Sequence, residues 1–115
     1  MYSFELDPES PNQQFSTIAD GINFEITLNT ANNLLFATIK ANGKTLKESG
    51  RCIGNQWLIP YMAYAPEGCG NFKFITINDE YPNYKNFNTS CILMYYTNEE
   101  LINYRLLIKM YIQYL

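Results

Sequence analysis

Two glycine-containing dipeptides, each beside a run of alternating residues, constrain the fold of this chain more than any other feature. The run Ile22–Leu28 is apolar at every second position, which is the pattern of a β-strand with one buried and one wet face. Asp20-Gly21 precedes this run, and Asn42-Gly43 follows a second run, Leu35–Ala41. Both dipeptides favour two-residue hairpin turns, because both turn residues need positive φ. The first half of the chain therefore predicts consecutive β-hairpins.

The second half continues in the same way. Phe72–Ile77 and Cys91–Tyr96 are further strand-like runs, and Asn29–Asn33 is expected to be a polar connection between the two hairpins. Pro60 makes a central strand doubtful at Trp57–Met62, because proline cannot donate a ladder hydrogen bond. A chain of 115 residues suits one core. We expect an all-β fold, a small antiparallel barrel or sandwich of hairpins, with a C-terminal α-helix.

A helix is predicted from the capping box Thr97–Glu100 to Leu115. The predicted division is therefore a β domain over 1–97 and a helix over 98–115. Arg105, Lys109 and Gln113 form one polar stripe on an otherwise apolar helix. A domain of this size can cover only part of such a helix, so the rest is expected to meet another chain. The alternative is a helix that lies across its own barrel or sheet. The candidate interface residues here are Leu107, Met110, Tyr111 and Tyr114.

Charge and cysteine content limit the possible partners of the protein and the compartment in which it is made. The net charge is −3 and the eight Lys and Arg residues are scattered, which argues against nucleic-acid binding. Three cysteines without metal-ligand spacing indicate buried thiols in a reducing compartment, although a Cys52–Cys69 bridge is left open. The N-terminus has no signal-peptide pattern, and the cations of the C-terminal segment argue against a membrane span. We expect a protein made in the cytosol.

The sequence offers little for catalysis. It has no histidine, which removes the common nucleophilic pairs and most zinc ligand sets. It also has no glycine-rich phosphate loop. Asp79 and Glu80 are adjacent carboxylates that could hold a hard cation, but no regular spacing of oxygen ligands surrounds them. We therefore predict no enzyme activity, no cofactor and no metal site.

The connection Asn78–Phe87 is long and unusually aromatic for a surface loop. Phe87, and with it Tyr84, is predicted to seal the β core. Tyr81 and the Asp79/Glu80 turn are predicted to face a neighbouring protein, because tyrosine combines apolar area with a polar tip. The full set of interface candidates outside the helix is Tyr61, Tyr64, Asp79, Glu80, Tyr81 and Tyr84.

Several of these motifs, in this order, resemble a known family, the baseplate plug proteins of contractile-tailed bacteriophages. Pro11–Phe15 is similar to a Pro-Asn-Gln-x-Phe motif of that family, and Asp20-Gly21 and an alternating strand follow. The turn at Asn78–Glu80 and the Pro-x-Tyr-x-x-Phe motif at Pro82–Phe87 resemble the later part. The likeness extends over about residues 2 to 101 in order and spacing. The apolar tail Leu101–Leu115 and the three cysteines have no counterpart in it.

The resemblance implies an all-β structural subunit of the virion tail baseplate, assembled in the host cytoplasm. It implies several copies in a ring where the tail tube meets the hub or spike, with other tail proteins as partners and no chemistry. One alternative is a β-sandwich module that binds a carbohydrate or receptor through an aromatic platform of Trp57, Tyr61, Tyr64 and Tyr84. Another is a small enzyme or metal protein built on Asp79 and Glu80.

Overall fold

A computed structural model describes residues 1–113, and in that range it contains seven β-strands and one α-helix. Three short 3-10 turns lie in the connections, at Met62–Tyr64, Ile77–Asp79 and Tyr84–Asn86. The main elements are β1 (Tyr2–Phe4), β2 (Gln13–Ala19), β3 (Ile22–Ala31), β4 (Leu34–Ala41), β5 (Lys44–Arg51), β6 (Asn71–Thr76), β7 (Cys91–Tyr96) and α1 (Asn98–Gln113).

The strands form two antiparallel sheets. One has four strands in the order β2-β3-β4-β5, and the other has three in the order β1-β7-β6. The four-stranded sheet is a meander of hairpins, so each strand pairs with its neighbour in sequence. The predicted all-β fold with a C-terminal helix is confirmed. The sheets do not close into a barrel, and the architecture is the sandwich of hairpins.

The hairpin turns follow from residues that tolerate positive φ. Asp20 and Gly21 have φ of 52° and 72°, and Asn42 and Gly43 have φ of 50° and 82°, as the sequence predicted. The predicted polar connection Asn29–Asn33 is wrong over its first half, because β3 continues through Ala31. The turn is confined to Asn32-Asn33, with φ of 52° and 61°. Asparagine tolerates this region better than most residues with a side chain, so two residues are enough.

Strand β5 is longer than its sequence pattern indicates. The alternation stops near Leu46, yet pairing with β4 continues to Arg51 through two register shifts. Ser49 has φ of 45°, and its N–H donates to the hydroxyl of Thr38 at 3.0 Å. The irregularity lies on an edge strand, where bulges discourage uncontrolled pairing with other chains.

The core lies between the two sheets and is rich in aromatic side chains. Phe24 of β3 meets Phe72 of β6 edge to face, with ring centroids 5.1 Å apart, and Tyr95 of β7 lies 4.9 Å from Phe72. From Ile22 to Leu28 the buried positions of β3 alternate with exposed or half-buried ones, as predicted. The largest fully buried side chains are Tyr95, Phe24, Phe72, Phe74, Phe87, Ile26, Leu28, Leu35, Ile39, Leu58, Ile59 and Leu93.

The outer edge of β6 is covered by the segment 55–59. The N–H of Leu58 donates to the carbonyl of Phe72 at 2.8 Å. The side chain of Asn71 exchanges two 3.0 Å hydrogen bonds with the backbone of Ile59. Trp57 makes only an isolated bridge with Lys73, which agrees with the doubt that Pro60 raised about a central strand. In the described part of the chain, β2 and β5 remain the long uncovered edges.

Helix α1 leaves the sandwich rather than lying on it. Leu101 is buried at 6 % exposure, whereas its large apolar residues from Ile102 to Ile112 are exposed by 42–69 %. The predicted helix is confirmed through Gln113, and its predicted end at Leu115 lies outside the described residues. The alternative was a helix lying across its own sheet, and beyond its first turn α1 does not do so in the single chain.

Candidate protein interfaces

The start of α1 is fixed by its capping box. The N–H of Glu100 donates to the Thr97 hydroxyl oxygen at 3.2 Å, and the Glu100 carboxylate accepts from the N–H of Thr97 at 3.3 Å. The same carboxylate pairs with the N-terminal ammonium of Met1. This ammonium group is the main reason that the pKa of Glu100 lies below its usual value. The N-terminus of the chain therefore lies at the first turn of α1.

Asp20 provides a second anchor for α1. Its carboxylate accepts a hydrogen bond from the Tyr95 hydroxyl at 2.6 Å and another from the N–H of Asn98 at 3.0 Å. The Tyr95 oxygen in turn accepts from the N–H of Gly70 at 2.8 Å. Burial, together with the bond to Asp20, raises the pKa of Tyr95. The β2–β3 turn, β7 and the helix are thereby joined through one hydroxyl group.

Glycine is required at position 70 for this arrangement. A Cβ atom added to Gly70 would lie 2.0 Å from the carbonyl oxygen of Tyr96 and 2.5 Å from the hydroxyl oxygen of Tyr95. Sequence reasoning identified Asp20 as a turn residue but missed its bonds to Tyr95 and Asn98. No local signal could have revealed them, because the partners are 75 and 78 residues away.

Beyond its first turn, α1 presents apolar side chains to solvent. Leu107, Met110 and Tyr111, which the sequence put forward as interface residues, are 64 %, 57 % and 69 % exposed. Tyr114, the fourth, lies outside the described residues. A continuous apolar surface of this kind is unusual on a protein that acts alone.

An aromatic groove of about 360 Å³ lies between this helix and β6. Trp57 and Tyr96 meet edge to face at 5.2 Å, and the ammonium nitrogen of Lys73 lies 3.9 Å from the centre of the Trp57 ring. Leu101 and Tyr104 close the groove from the helix side. Tyr61 and Tyr64 follow nearby in sequence, 69 % and 66 % exposed, with their rings perpendicular and 6.4 Å apart.

The loop Asn78–Phe87 is divided between core and surface, as predicted for Phe87. Phe87 is buried and stacks on Phe74 at 5.9 Å, and Tyr84 is half-buried against the same core. Tyr81 is 60 % exposed, with the Arg51 guanidinium 4.6 Å from its ring centre. Its neighbours Asp79 and Glu80 are exposed too. The side-chain amide nitrogen of Asn55 donates a hydrogen bond to the Asp79 carboxylate at 2.7 Å and so holds the start of the loop in place.

These surfaces lie at opposite ends of one hairpin. Asn71 pairs with Tyr96 at the helix end of the β6–β7 ladder, and Thr76 pairs with Cys91 at the loop end. Six strand residues place the two ends roughly 17 Å apart. Trp57, Tyr61 and Tyr64 belong to the helix end, whereas Tyr84 belongs to the loop end. The structure therefore does not bring together the four-residue aromatic platform that a carbohydrate-binding module would use.

The described residues hold neither a metal site nor a reactive thiol. In residues 1–113, no three His, Cys, Asp or Glu side chains are grouped so that they could hold a metal ion. Cys52, Cys69 and Cys91 are buried and free, so the bridge left open between the first two is not formed. Burial raises the pKa of Cys52 to about 12 and that of Cys69 and Cys91 to about 11. Thiols of this kind stay protonated and unreactive near neutral pH.

Over the part of the chain that the structure describes, no helix is both long and apolar enough to cross a membrane.

Comparison with known proteins gives one family. Residues 1–99 match the family model described as cyanophage baseplate Pam3 plug gp18. The match spans both sheets and ends in the first turn of α1, so the exposed part of the helix lies beyond it. No curated protein matches the chain.

Proposed function

This chain belongs to the phage baseplate plug family, and from that premise we propose that it links the end of the tail tube to the hub or spike by protein–protein contacts. Membership of the family makes it a structural protein of the virion tail baseplate, in contact with other tail proteins. We further propose that several copies form a ring, that they assemble in the host cytoplasm and that they catalyse no reaction.

The observation that carries the proposal is the presence of exposed contact surfaces at two opposite ends of the sandwich. A linking subunit has to bind two different neighbours at once. At the helix end, Tyr61 and Tyr64 are available; at the loop end, Tyr81 stands beside Asp79 and Glu80. Exposed tyrosines are frequent anchors of protein interfaces, because they bury a large rigid ring at low entropic cost.

The free edges of the four-stranded sheet suit contacts between copies. Strands β2 and β5 each pair on one side only. Unpaired backbone groups along such an edge can add a strand from a neighbouring subunit. The bulge in β5 restricts regular pairing on that side, which makes β2 the better edge for a neighbouring copy in a ring.

Replacement of Tyr81 tests the linking role. In particles assembled with Tyr81→Ala, we expect the number of copies of the protein per virion to fall at least about tenfold. The substitution would remove a tyrosine ring that the proposed interface buries. Quantitative mass spectrometry of purified virions measures this occupancy. Tyr81→Phe is the matched control, because it keeps the ring and its stacking on Arg51.

The exposure of Tyr81 predicts that both variants melt like the unchanged protein. Wild-type occupancy with Tyr81→Ala would show that the loop end makes no essential contact. Absence of the unchanged protein from purified virions would contradict the proposal as a whole.

A further inference from the structure

The exposed surface of α1 has the geometry of a helix–helix seam. Tyr104, Leu107 and Tyr111 follow one another at spacings of three and four residues, which keeps them on one side of a helix. Arg105 and Lys109 are four residues apart on the other side. The helix thus has an apolar seam, and on the opposite side Arg105 and Lys109 form a polar stripe between further exposed apolar residues.

A solitary helix of this length is only marginally stable in water. Isolated helices of about this length are marginal even with strong helix formers. Within the described residues, Leu101 is the only side chain of α1 that is buried in the sandwich. The remaining turns therefore need another surface to cover them.

The area of the seam matches that of a protein interface. The three seam residues, together with Ile108 and Met110 on its two flanks, are exposed by 42–69 %. With side-chain areas of this class, they leave on the order of 700 Å² available per copy. A standard interface buries about 800 Å² per partner, so two such surfaces that cover each other would approach the size of a standard interface.

We propose that α1 associates with α1 of a second copy of this chain through Tyr104, Leu107 and Tyr111. A seam with heptad spacing fits best against another helix with the same spacing, because side chains from each then fill gaps in the other. Arg105 and Lys109 stay in water on the outer face. The inference rests on the proposed function in one respect: it names second copies as the partner at the helix end.

Two features favour a second copy over other occupants. The seam residues are uncharged, so nothing in the seam selects an acidic or a basic partner protein. The net charge of −3 disfavours an anionic bilayer surface. Tyr104 also lines the groove that holds Trp57 and Tyr96, so a second helix on the seam would extend the buried surface onto the sandwich.

The test compares two adjacent leucines in the full chain. Leu107 lies on the seam and Leu106 beside it, and their exposures of 64 % and 54 % are similar. The unchanged protein should have a mass above 13.4 kDa by light scattering after size exclusion, decreasing on dilution. Leu107→Asp should weaken self-association at least about tenfold, whereas Leu106→Asp should leave it within about twofold.

A second pair guards against misfolding of the first. Tyr111→Asp should also disrupt the assembly, and Ile112→Asp, off the seam and 62 % exposed, should not. Equal thermal melts for the four variants would show that the sandwich is intact. A monomer at every soluble concentration, or equal effects of Leu106→Asp and Leu107→Asp, would overturn the proposal. So would a monomer that gains helix only on vesicles of phosphatidylcholine and phosphatidylglycerol.

These measurements use the isolated chain, and they are independent of its incorporation into virions. Self-association through the seam by a protein that never enters a virion would support this inference and contradict the linking role. A protein that is monomeric at every soluble concentration but is incorporated into virions would contradict this inference and support the linking role.

Discussion

Tyr95 shows how much of this fold depends on single polar atoms. Its ring is part of the aromatic core, and its hydroxyl both donates to Asp20 and accepts from the N–H of Gly70. Asp20 then holds the N–H of Asn98 at the start of α1. The direction in which the helix leaves the sandwich is therefore set by a hydroxyl group and a carboxylate.

Removal of that hydroxyl group should be costly. Tyr95→Phe deletes a hydrogen bond to a charged acceptor and leaves the buried N–H of Gly70 without its partner. We expect the free energy of unfolding to decrease by about 2 kcal/mol. Urea denaturation at constant m measures this decrease. Tyr96→Phe is the matched control, with an expected change within about 0.5 kcal/mol, and equal values for the two variants would refute the role of the Tyr95 hydroxyl.

At this scale the sequence predicts packing better than polar contacts. Phe87 could be placed in the core because a large apolar ring near a strand-like run is usually buried, and the structure confirms this prediction. The bond from Tyr95 to Asp20 could not be predicted, because the residues are far apart in sequence and nothing in either neighbourhood indicates the other. The interface roles of Tyr61, Tyr64, Asp79, Glu80, Tyr81 and Tyr84 remain predictions.

Among the elements, α1 has a start that responds to pH. The pKa of Glu100 lies below its usual value of 4.5, chiefly because its carboxylate pairs with the N-terminal ammonium. A lowered pKa stabilises the folded state above the pKa of the unfolded chain. This contribution disappears as the pH falls through the folded value.

We therefore expect acid to release the first turn of α1 before the sheets unfold. Amide hydrogen exchange at Glu100 and Leu101 should become faster as the pH falls below about 4.5, relative to the intrinsic rate. Glu100→Gln should remove this pH dependence, and Glu99→Gln should retain it. The same dependence in the Glu100→Gln variant would exclude the capping carboxylate as its source.

The predictability of each element depends on how local its determinants are. The Asp20-Gly21 and Asn42-Gly43 hairpins were predictable, because the turn residues themselves need positive φ. Asn32-Asn33 makes an equally tight turn but lacks the glycine that marks it in a sequence. Strand β5 was underestimated because its bulge interrupts the alternation, and its length depends on pairing with β4.

The whole molecule consists of a sandwich with its own core and a helix that is anchored to it at the first turn. The sandwich buries its own apolar faces, and the family match covers it almost completely. Most of the helix was expected from its composition to meet another chain. The structure adds that this surface is exposed in the single chain, at the opposite end of the β6–β7 hairpin from Tyr81.

Truncation should separate the two parts. A chain that ends after Ile102 keeps the capping box and Leu101, the contacts that join helix and sandwich. Its melting temperature should stay within about 4 °C of that of the full chain at a concentration where the full chain is monomeric. Circular dichroism measures this. A truncated chain that is unfolded would mean that the helix supports the core directly.

The three buried thiols have a consequence for the particle as a whole. A virion protein is made inside a cell and then spends its extracellular life in aerated water, so its sulfur chemistry faces two opposite redox environments. Cys52, Cys69 and Cys91 are shielded from both, because oxidants act on exposed thiolates and these groups are neither exposed nor deprotonated. We therefore expect no disulfide bonds between these three cysteines and neighbouring tail proteins after release.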